Sequence, residues 1–186
     1  MDELIYSGKW LEIRKLEVSG GVVWEYVKRT NSSQRSDGVE VVAFLDKKFL
    51  VAVAVYRYPV DAFVLEFPAG LMDSEDSEPL ETALRELKEE TGYSARPQDL
   101  VFEGPMIYTD SWKSTESTKY IVLNLDSAQN PNPAQSLDSE EIIKVELIPL
   151  KNLASELQDL AQRQNYLIDS RLFTFAEGYG LINTQG

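Results

Sequence analysis

The sequence specifies an α/β domain that carries an N-terminal β-hairpin lobe. Two β-rich runs flank Gly20 and Gly21 near the start of the chain. Short runs rich in Val, Phe and Tyr, bounded by polar turns, fill the middle. From Pro79 to Thr91 the apolar residues instead recur at spacings of three and four, the period of a helix. There are no repeats and no second core, so 186 residues suit one domain with a small extra lobe. The lobe covers residues 1–37 and the main domain 38–186.

The elements follow in order. "KWLEIRKLEV" (Lys9–Val18) and "VVWEYVKRT" (Val22–Thr30) pair across the "SGG" turn as a hairpin. "NSSQRSDG" (Asn31–Gly38) is a loop. "VEVVAFLD" and "KKFLVAVAVYRY" are two strands with a short polar turn between them. "FVLEFPAG" (Phe63–Gly70) is a short strand ending in a Pro-Ala-Gly bend. The acidic loop "LMDSEDSE" leads into the helix, with Pro79 in its first turn and Gly92 as its C-terminal stop. "DLVFEGPMIYTD", "STKYIVLNLD" and "IIKVELIPL" are strands, and "SAQNPNPAQSLDSEE" is a long polar loop. "KNLASELQDLAQRQ" and "DSRLFTFAEGYG" close the domain as helices.

Composition removes several chemistries. The net charge of −13 repels phosphate backbones and anionic lipid, so neither nucleic acid nor membrane is an expected partner. With no Cys and no His, disulfides, thiol chemistry, Ser-His-Asp catalysis and His-ligated zinc are all excluded. Catalysis must rest on carboxylates, Lys, Arg, Tyr, hydroxyls or a hard metal held by oxygen. The first residues lack the apolar run of a signal peptide and no segment has the length of a membrane span, so a cytoplasmic protein is expected.

Glu86, Glu89 and Glu90 stand at i, i+3 and i+4 on the helix and share one face. Leu80, Ala83, Leu84 and Leu87 hold the neighbouring face against the core. Like charges so close need neutralising, and a hard divalent cation such as Mg²⁺ is the natural partner. "GLMDSEDSEPLETALRELKEETGY" (Gly70–Tyr93) resembles the Nudix box, G-x5-E-x7-R-E-U-x-E-E-x-G-U, where U is bulky and apolar. The second half matches throughout: Arg85, Glu86, Leu87, Glu89, Glu90, Gly92 and Tyr93. The first half is one residue longer than the pattern. Counted from Gly70 the supporting box glutamate falls on Asp76; counted back from Arg85 it falls on Ser77, beside Glu78.

The resemblance extends to the ADP-ribose pyrophosphatase (ADP-sugar diphosphatase) group through "EFPAGLMD", "VVWEYVKRT" and "VYRYPV". It implies a mixed β-sheet sandwiched between helices, a homodimer with exchanged N-terminal lobes, and Mg²⁺-dependent (or Mn²⁺-dependent) hydrolysis of ADP-ribose or a related nucleoside diphosphate sugar. It also implies site residues. Trp10 and Trp24 are candidates for stacking on adenine, or else pack the lobe or the dimer. Arg29 and Arg57 are candidates for the diphosphate or terminal ribose. Glu66 and the Ala69 carbonyl join Glu86 and Glu90 around the metal, and Glu89 is a ligand or a partner of metal-bound water. Arg85 holds a glutamate in place, or forms an i,i+4 pair with Glu81 or Glu89. Glu141, with Glu140 beside it, is the candidate base. Asp110 and Trp112 face the pocket mouth as substrate contacts or as loop caps. Two rival readings stay open: a Nudix enzyme for another nucleoside diphosphate, and a catalytically weak Nudix-fold binding protein, suggested by the irregular first half of the box.

Overall fold

A computed structural model describes residues 1–30, 36–73, 76 and 78–183. The lobe is a three-stranded antiparallel sheet of β1 (Asp2–Ser7), β2 (Leu11–Glu17) and β3 (Val23–Arg29). The hairpin of β2 and β3 is the expected one, with Leu11 opposite Arg29 and Leu16 opposite Trp24. Strand β1 is an addition to it. "DELIYS" sets Leu4, Ile5 and Tyr6 side by side instead of alternating, and its register slips between Leu4 and Tyr6, so period-2 reasoning had nothing to detect. Of the predicted Asn31–Gly38 loop, residues 31–35 lie outside the described residues.

The main domain is built on an eight-stranded mixed sheet. Its strands are β4 (Gly38–Leu45), β5 (Phe49–Arg57), β6 (Ala62–Glu66), β7 (Ala69–Leu71), β8 (Leu100–Tyr108), β9 (Ser117–Leu125), β10 (Ile143–Pro149) and β11 (Leu167–Ile168). The order is β11-β6-β5-β4-β9-β8, with β10 on β5 and β7 on β4. β4–β9 and β6–β11 run parallel and the other pairs antiparallel. Strand β11 escaped the sequence reading because two residues carry no periodicity.

Helices cover both faces, which is why β4 and β5 read as nearly continuous apolar runs. Val39, Val41, Ala43 and Val51 point to α1 (Pro79–Thr91), meeting Ala83 and Leu87. Val42, Leu50, Ala52 and Ala54 point the other way, to α2 (Leu153–Gln164) and α3 (Ser170–Asn183), meeting Leu157, Ala161, Leu172 and Ala176. A fully buried leucine such as Leu87 or Leu157 contributes about 1.5–3 kcal/mol.

Helix α1 has the expected bounds. Pro79 opens it, and Gly92, at φ 77°, ends it in the left-handed region with its N–H donating to the Lys88 carbonyl. Glycine serves there twice over, since a Cβ would meet the Ala134 backbone nitrogen at 2.2 Å. The 133–136 segment packs on that helix end, and Ser136 N–H donates to the Glu89 carbonyl at 2.9 Å.

Candidate active site

Strand β7 brings the site together. It runs antiparallel to the start of β4, with Gly38 opposite Leu71, Val39 opposite Gly70 and Glu40 opposite Ala69. Helix α1 lies against β7 and presents its acids to it. Glu90 is 6% exposed and its Oε2 accepts from the Ala69 N–H at 3.0 Å. The Glu86 carboxylate rests on Gly70 so closely that a Cβ there would stand 1.9 Å from its Cδ. Sequence alone marked the Pro-Ala-Gly bend as an aimed backbone; the fold adds that the glycine makes room for a glutamate.

Arg85 is the hub of the helix acids. Its Nη1 donates to Glu86 Oε1 at 2.8 Å and to Glu89 Oε2 at 3.2 Å. Its Nη2 donates to Asp76 Oδ2 at 3.2 Å and to the Leu71 carbonyl at 3.3 Å, and lies 3.3 Å from Asp73. So Arg85 does hold Glu86, and the i,i+4 pair with Glu89 forms as well. Asp76 also accepts from the Asp73 N–H and the Thr82 hydroxyl. Burial raises its pKa, but these three donors outweigh burial and leave it below the usual aspartate value. The count from Gly70 therefore lands on the carboxylate that reaches Arg85. Glu78 sits exposed at the N-cap of α1, and Ser77 lies outside the described residues.

Burial outweighs these partners at two of the helix acids. Burial pushes Glu86 up to about 7 against the pull of Arg85, with Glu89 and Glu141 adding repulsion. Burial pushes Glu90 up to about 8 despite the Ala69 N–H, with Glu86 and Glu141 adding repulsion. Glu141 is exposed and accepts from the Asp138 N–H at 3.0 Å. Its charge nonetheless reaches both helix acids, so the late loop returns to α1. Gln135 ties that loop down, donating to the carbonyls of Glu90 at 2.6 Å and Ile143 at 3.2 Å.

Beside β7 opens a cavity of about 590 Å³. Its walls include Arg29, Arg57, Glu66, Ala69 and Asp110, all named from sequence. Arg57 grips Glu66 with both arms of its fork, Nε donating to Oε1 at 2.9 Å. Arg29 donates from Nε and Nη2 to one oxygen of Glu116, Oε1, at 2.8 and 2.5 Å. Asp110 pairs with Lys113, and its carbonyl accepts from the Lys113 and Ser114 N–H groups, so it is at once a wall of the cavity and a turn cap. Glu86, Glu89, Glu90 and Glu141 are not among the lining residues; Glu86 packs on Gly70 and Glu90 bonds Ala69, both of which do line it.

Neither tryptophan candidate lines the cavity of its own chain. Trp24, 48% exposed, donates Nε1–H to the Trp112 carbonyl at 2.8 Å. Trp10, 59% exposed, lies in the turn after β1 beneath the Lys9 ammonium. Around them Leu4, Ile5, Tyr6, Leu11, Ile13 and Val23 are also exposed. The lobe docks on its own domain through Val27, which bonds the backbone of Lys113 and Thr115.

The sequence reading missed Glu40, Asp37, Glu116, Asp169 and Arg171. Glu40 carried a usable signal, a lone acid inside the apolar run "GVEVVAFL". It is 3% exposed, paired with Arg171 and raised in pKa by burial against the pull of that arginine. Asp37, also buried, accepts from the Ser117 N–H and hydroxyl through Oδ2, while Oδ1 has no partner among the described residues. Asp169 and Arg171 open α3, and only the fold brings that helix to the cavity.

Comparison with known proteins decides the family. The NUDIX domain model matches residues 34–170. The chain belongs to the Nudix family. It is similar to a nudix hydrolase of Caenorhabditis elegans, 33% identical over 95% of this chain and 82% of that protein. It is also similar to the ADP-sugar pyrophosphatase of Mus musculus, 30% identical over 94% of this chain and 83% of that one. The crystal structure of an ADP compounds hydrolase shares the Nudix fold with a TM-score of 0.61 at 21% identity, covering 88% of this chain and 93% of that one. No helix among the described residues is long and apolar enough to cross a membrane.

The donor set of this Nudix site fits a hard divalent cation in its chemistry. It offers buried Glu90 and half-buried Glu86, both raised in pKa by burial, with Glu66 at the next strand end. Among the described residues, however, no three such side chains already stand as a cation cage. Arg57 and Arg85 occupy the carboxylates in the meantime.

Proposed function

We propose that this Nudix enzyme hydrolyses the diphosphate bond of ADP-ribose or a related ADP-sugar, giving AMP and a sugar phosphate. Water adds its oxygen to one phosphorus, the bond from that phosphorus to the bridging oxygen breaks, and the second phosphate departs with the bridging oxygen. The observation that carries the reading is the pair of helix glutamates, half-buried Glu86 and buried Glu90, raised in pKa by burial and packed on Gly70 and Ala69 beside an arginine-lined cavity. The name of the mouse relative supplies the substrate class.

Glu66, Glu86, Glu90, the Ala69 carbonyl and Glu89 are the residues that would hold Mg²⁺ or Mn²⁺. Such an ion neutralises the diphosphate and lowers the pKa of bound water. Arg85 orients Glu86 and Glu89. Arg57 and Arg29 exchange a carboxylate partner for phosphate oxygens on binding. Glu141, tethered through Gln135, takes the proton from the attacking water. Asp76, held on Arg85, supports the enzyme over the binding-only reading that the irregular first half of the box suggested.

The lobe, residues 1–37, supports a homodimer: its exposed Trp, Leu, Ile and Val surface is large for a monomer to leave bare, and a partner lobe would bring Trp10 or Trp24 over adenine. Sedimentation at micromolar concentration tests this, and a strictly monomeric, fully active enzyme would sink it. The activity itself is tested by hydrolysing ADP-ribose, ADP-glucose and GDP-mannose with and without Mg²⁺. Metal-dependent release of AMP from the ADP-sugars is expected. Tight binding of ADP-ribose with no turnover in any metal would overturn the reading.

A further inference from the structure

The cavity distributes charge unevenly. Among the described residues Arg29 is paired with Glu116 and Arg57 with Glu66, one carboxylate to each guanidinium. Arg171 faces two, Glu40 and Asp169. Its Nε donates to Asp169 Oδ1 and its Nη2 to Oδ2, at 2.8 and 2.9 Å, while Nη1 reaches Glu40. The first two stations set one carboxylate against one guanidinium, and the third sets two against one. Glu40 is also almost wholly buried in a strand that is otherwise apolar, so its desolvation must be offset by what it binds. The Tyr120 phenol lies against it, and Ser170 and Thr118 line the same cavity.

We infer that the Glu40–Asp169–Arg171 station, with Ser170, reads the hydroxyl groups of the sugar on the far phosphate. This rests on the ADP-sugar reading and deepens it. A station bearing two carboxylates for one guanidinium repels phosphate but suits vicinal hydroxyls, each of which donates to a carboxylate oxygen; a carboxylate has acceptor positions beyond those an arginine occupies. At the one-to-one stations only a single carboxylate stands beside the guanidinium, so they suit the diphosphate better than the acidic station does. The acidic station therefore sets which sugar is accepted, favouring a polyhydroxylated, uncharged ring over an acidic or phosphorylated one. A site that hydrogen-bonds substrate hydroxyls discriminates strongly against analogues lacking them, because its own polar groups are left unpaired.

The test compares ADP-ribose with the β-methyl ester of ADP, in which a methyl group replaces the sugar. Both present the same diphosphate, and the ester would yield AMP and methyl phosphate. Glu40→Gln keeps the shape and leaves Arg171 with Asp169; Ser170→Ala removes an exposed hydroxyl and leaves the Asp169 cap of the helix intact. In the wild type, ADP-ribose should exceed the ester in kcat/KM. Glu40→Gln should raise KM for ADP-ribose roughly tenfold or more, the loss of a charged hydrogen-bond acceptor, with kcat little changed. Ser170→Ala should raise it several-fold. Neither should alter the kinetics of the ester. If both variants slow the two compounds alike, or leave KM for ADP-ribose unchanged, the sugar station is overturned. If wild-type enzyme cleaves neither compound in Mg²⁺ or Mn²⁺, the hydrolase reading has failed first, and the station falls with it.

Discussion

Glu90→Gln separates the structural cost of the site from its catalytic use. In the metal-free protein the Glu90 carboxylate is 6% exposed, and burial pushes it from 4.5 up to about 8. The folded protein therefore holds this proton to higher pH than the unfolded chain does. Between about pH 4.5 and 8 the folded state binds more protons, so metal-free stability falls as pH rises through that window. At ~1.4 kcal/mol for each tenfold in proton affinity, the full penalty at pH 9 is capped near ~5 kcal/mol. Counter-ions reaching the open cavity relieve part of it, so ~2–3 kcal/mol is the expected gain on replacing Glu90 by Gln, whose amide oxygen still accepts from Ala69 N–H. In a domain of this size that is roughly 5–10 °C in Tm. Thermal unfolding in EDTA should show the variant and the wild type equal near pH 5 and the variant ahead at pH 9. Saturating Mg²⁺ should close that gap by stabilising only the wild type, while the variant loses turnover. An equal gain at pH 5 and pH 9, or none at pH 9, would refute the buried-charge account of the site.

Three further outcomes follow from the same geometry. Gly70→Ala places a methyl group where the Glu86 carboxylate rests, 1.9 Å from its Cδ. A flexible carboxylate can swing aside, so the protein should fold with a near-native circular dichroism spectrum while kcat drops roughly a hundredfold. Arg85→Ala strands Asp76 and Glu86, whose side chains are 15% and 13% exposed. Urea unfolding at pH 8 should report a loss of ~3 kcal/mol, and activity should not be rescued by Lys, which lacks the fork that spans both acids. Gln135→Ala removes two donated bonds that anchor the 136–142 loop. About 1–2 kcal/mol of stability should be lost, with kcat falling more than KM rises, because Glu141 rides on that loop.

Much of this protein was determined by sequence alone. The spacing of Leu80, Ala83, Leu84 and Leu87 fixed both α1 and its buried face, and Pro79 and Gly92 fixed its ends, because these are local rules of backbone and period. The trio Glu86, Glu89 and Glu90 announced a charged face needing a cation, since any helix would set them together. The apolar runs announced β4 and β5 as strands, and the fold showed that helices cover both their faces.

The tertiary structure decided the rest. Whether Asp76 or Ser77 supports Arg85 could not be counted from a loop one residue too long; Asp76 is the acid that the helix start and Thr82 carry to the guanidinium. That Trp10 and Trp24 stand outside the cavity of their own chain is a matter of where the lobe docks, which no periodicity encodes. Strand β11 and the bulged β1 were too short or too irregular to leave a pattern. Glu40, Asp169 and Arg171 come from a strand and a helix 131 residues apart between Glu40 and Arg171. Each is an ordinary charged residue in its own segment, and only the packing of α3 against the sheet makes them one station, because the energetics of a charge depend on what surrounds it in space.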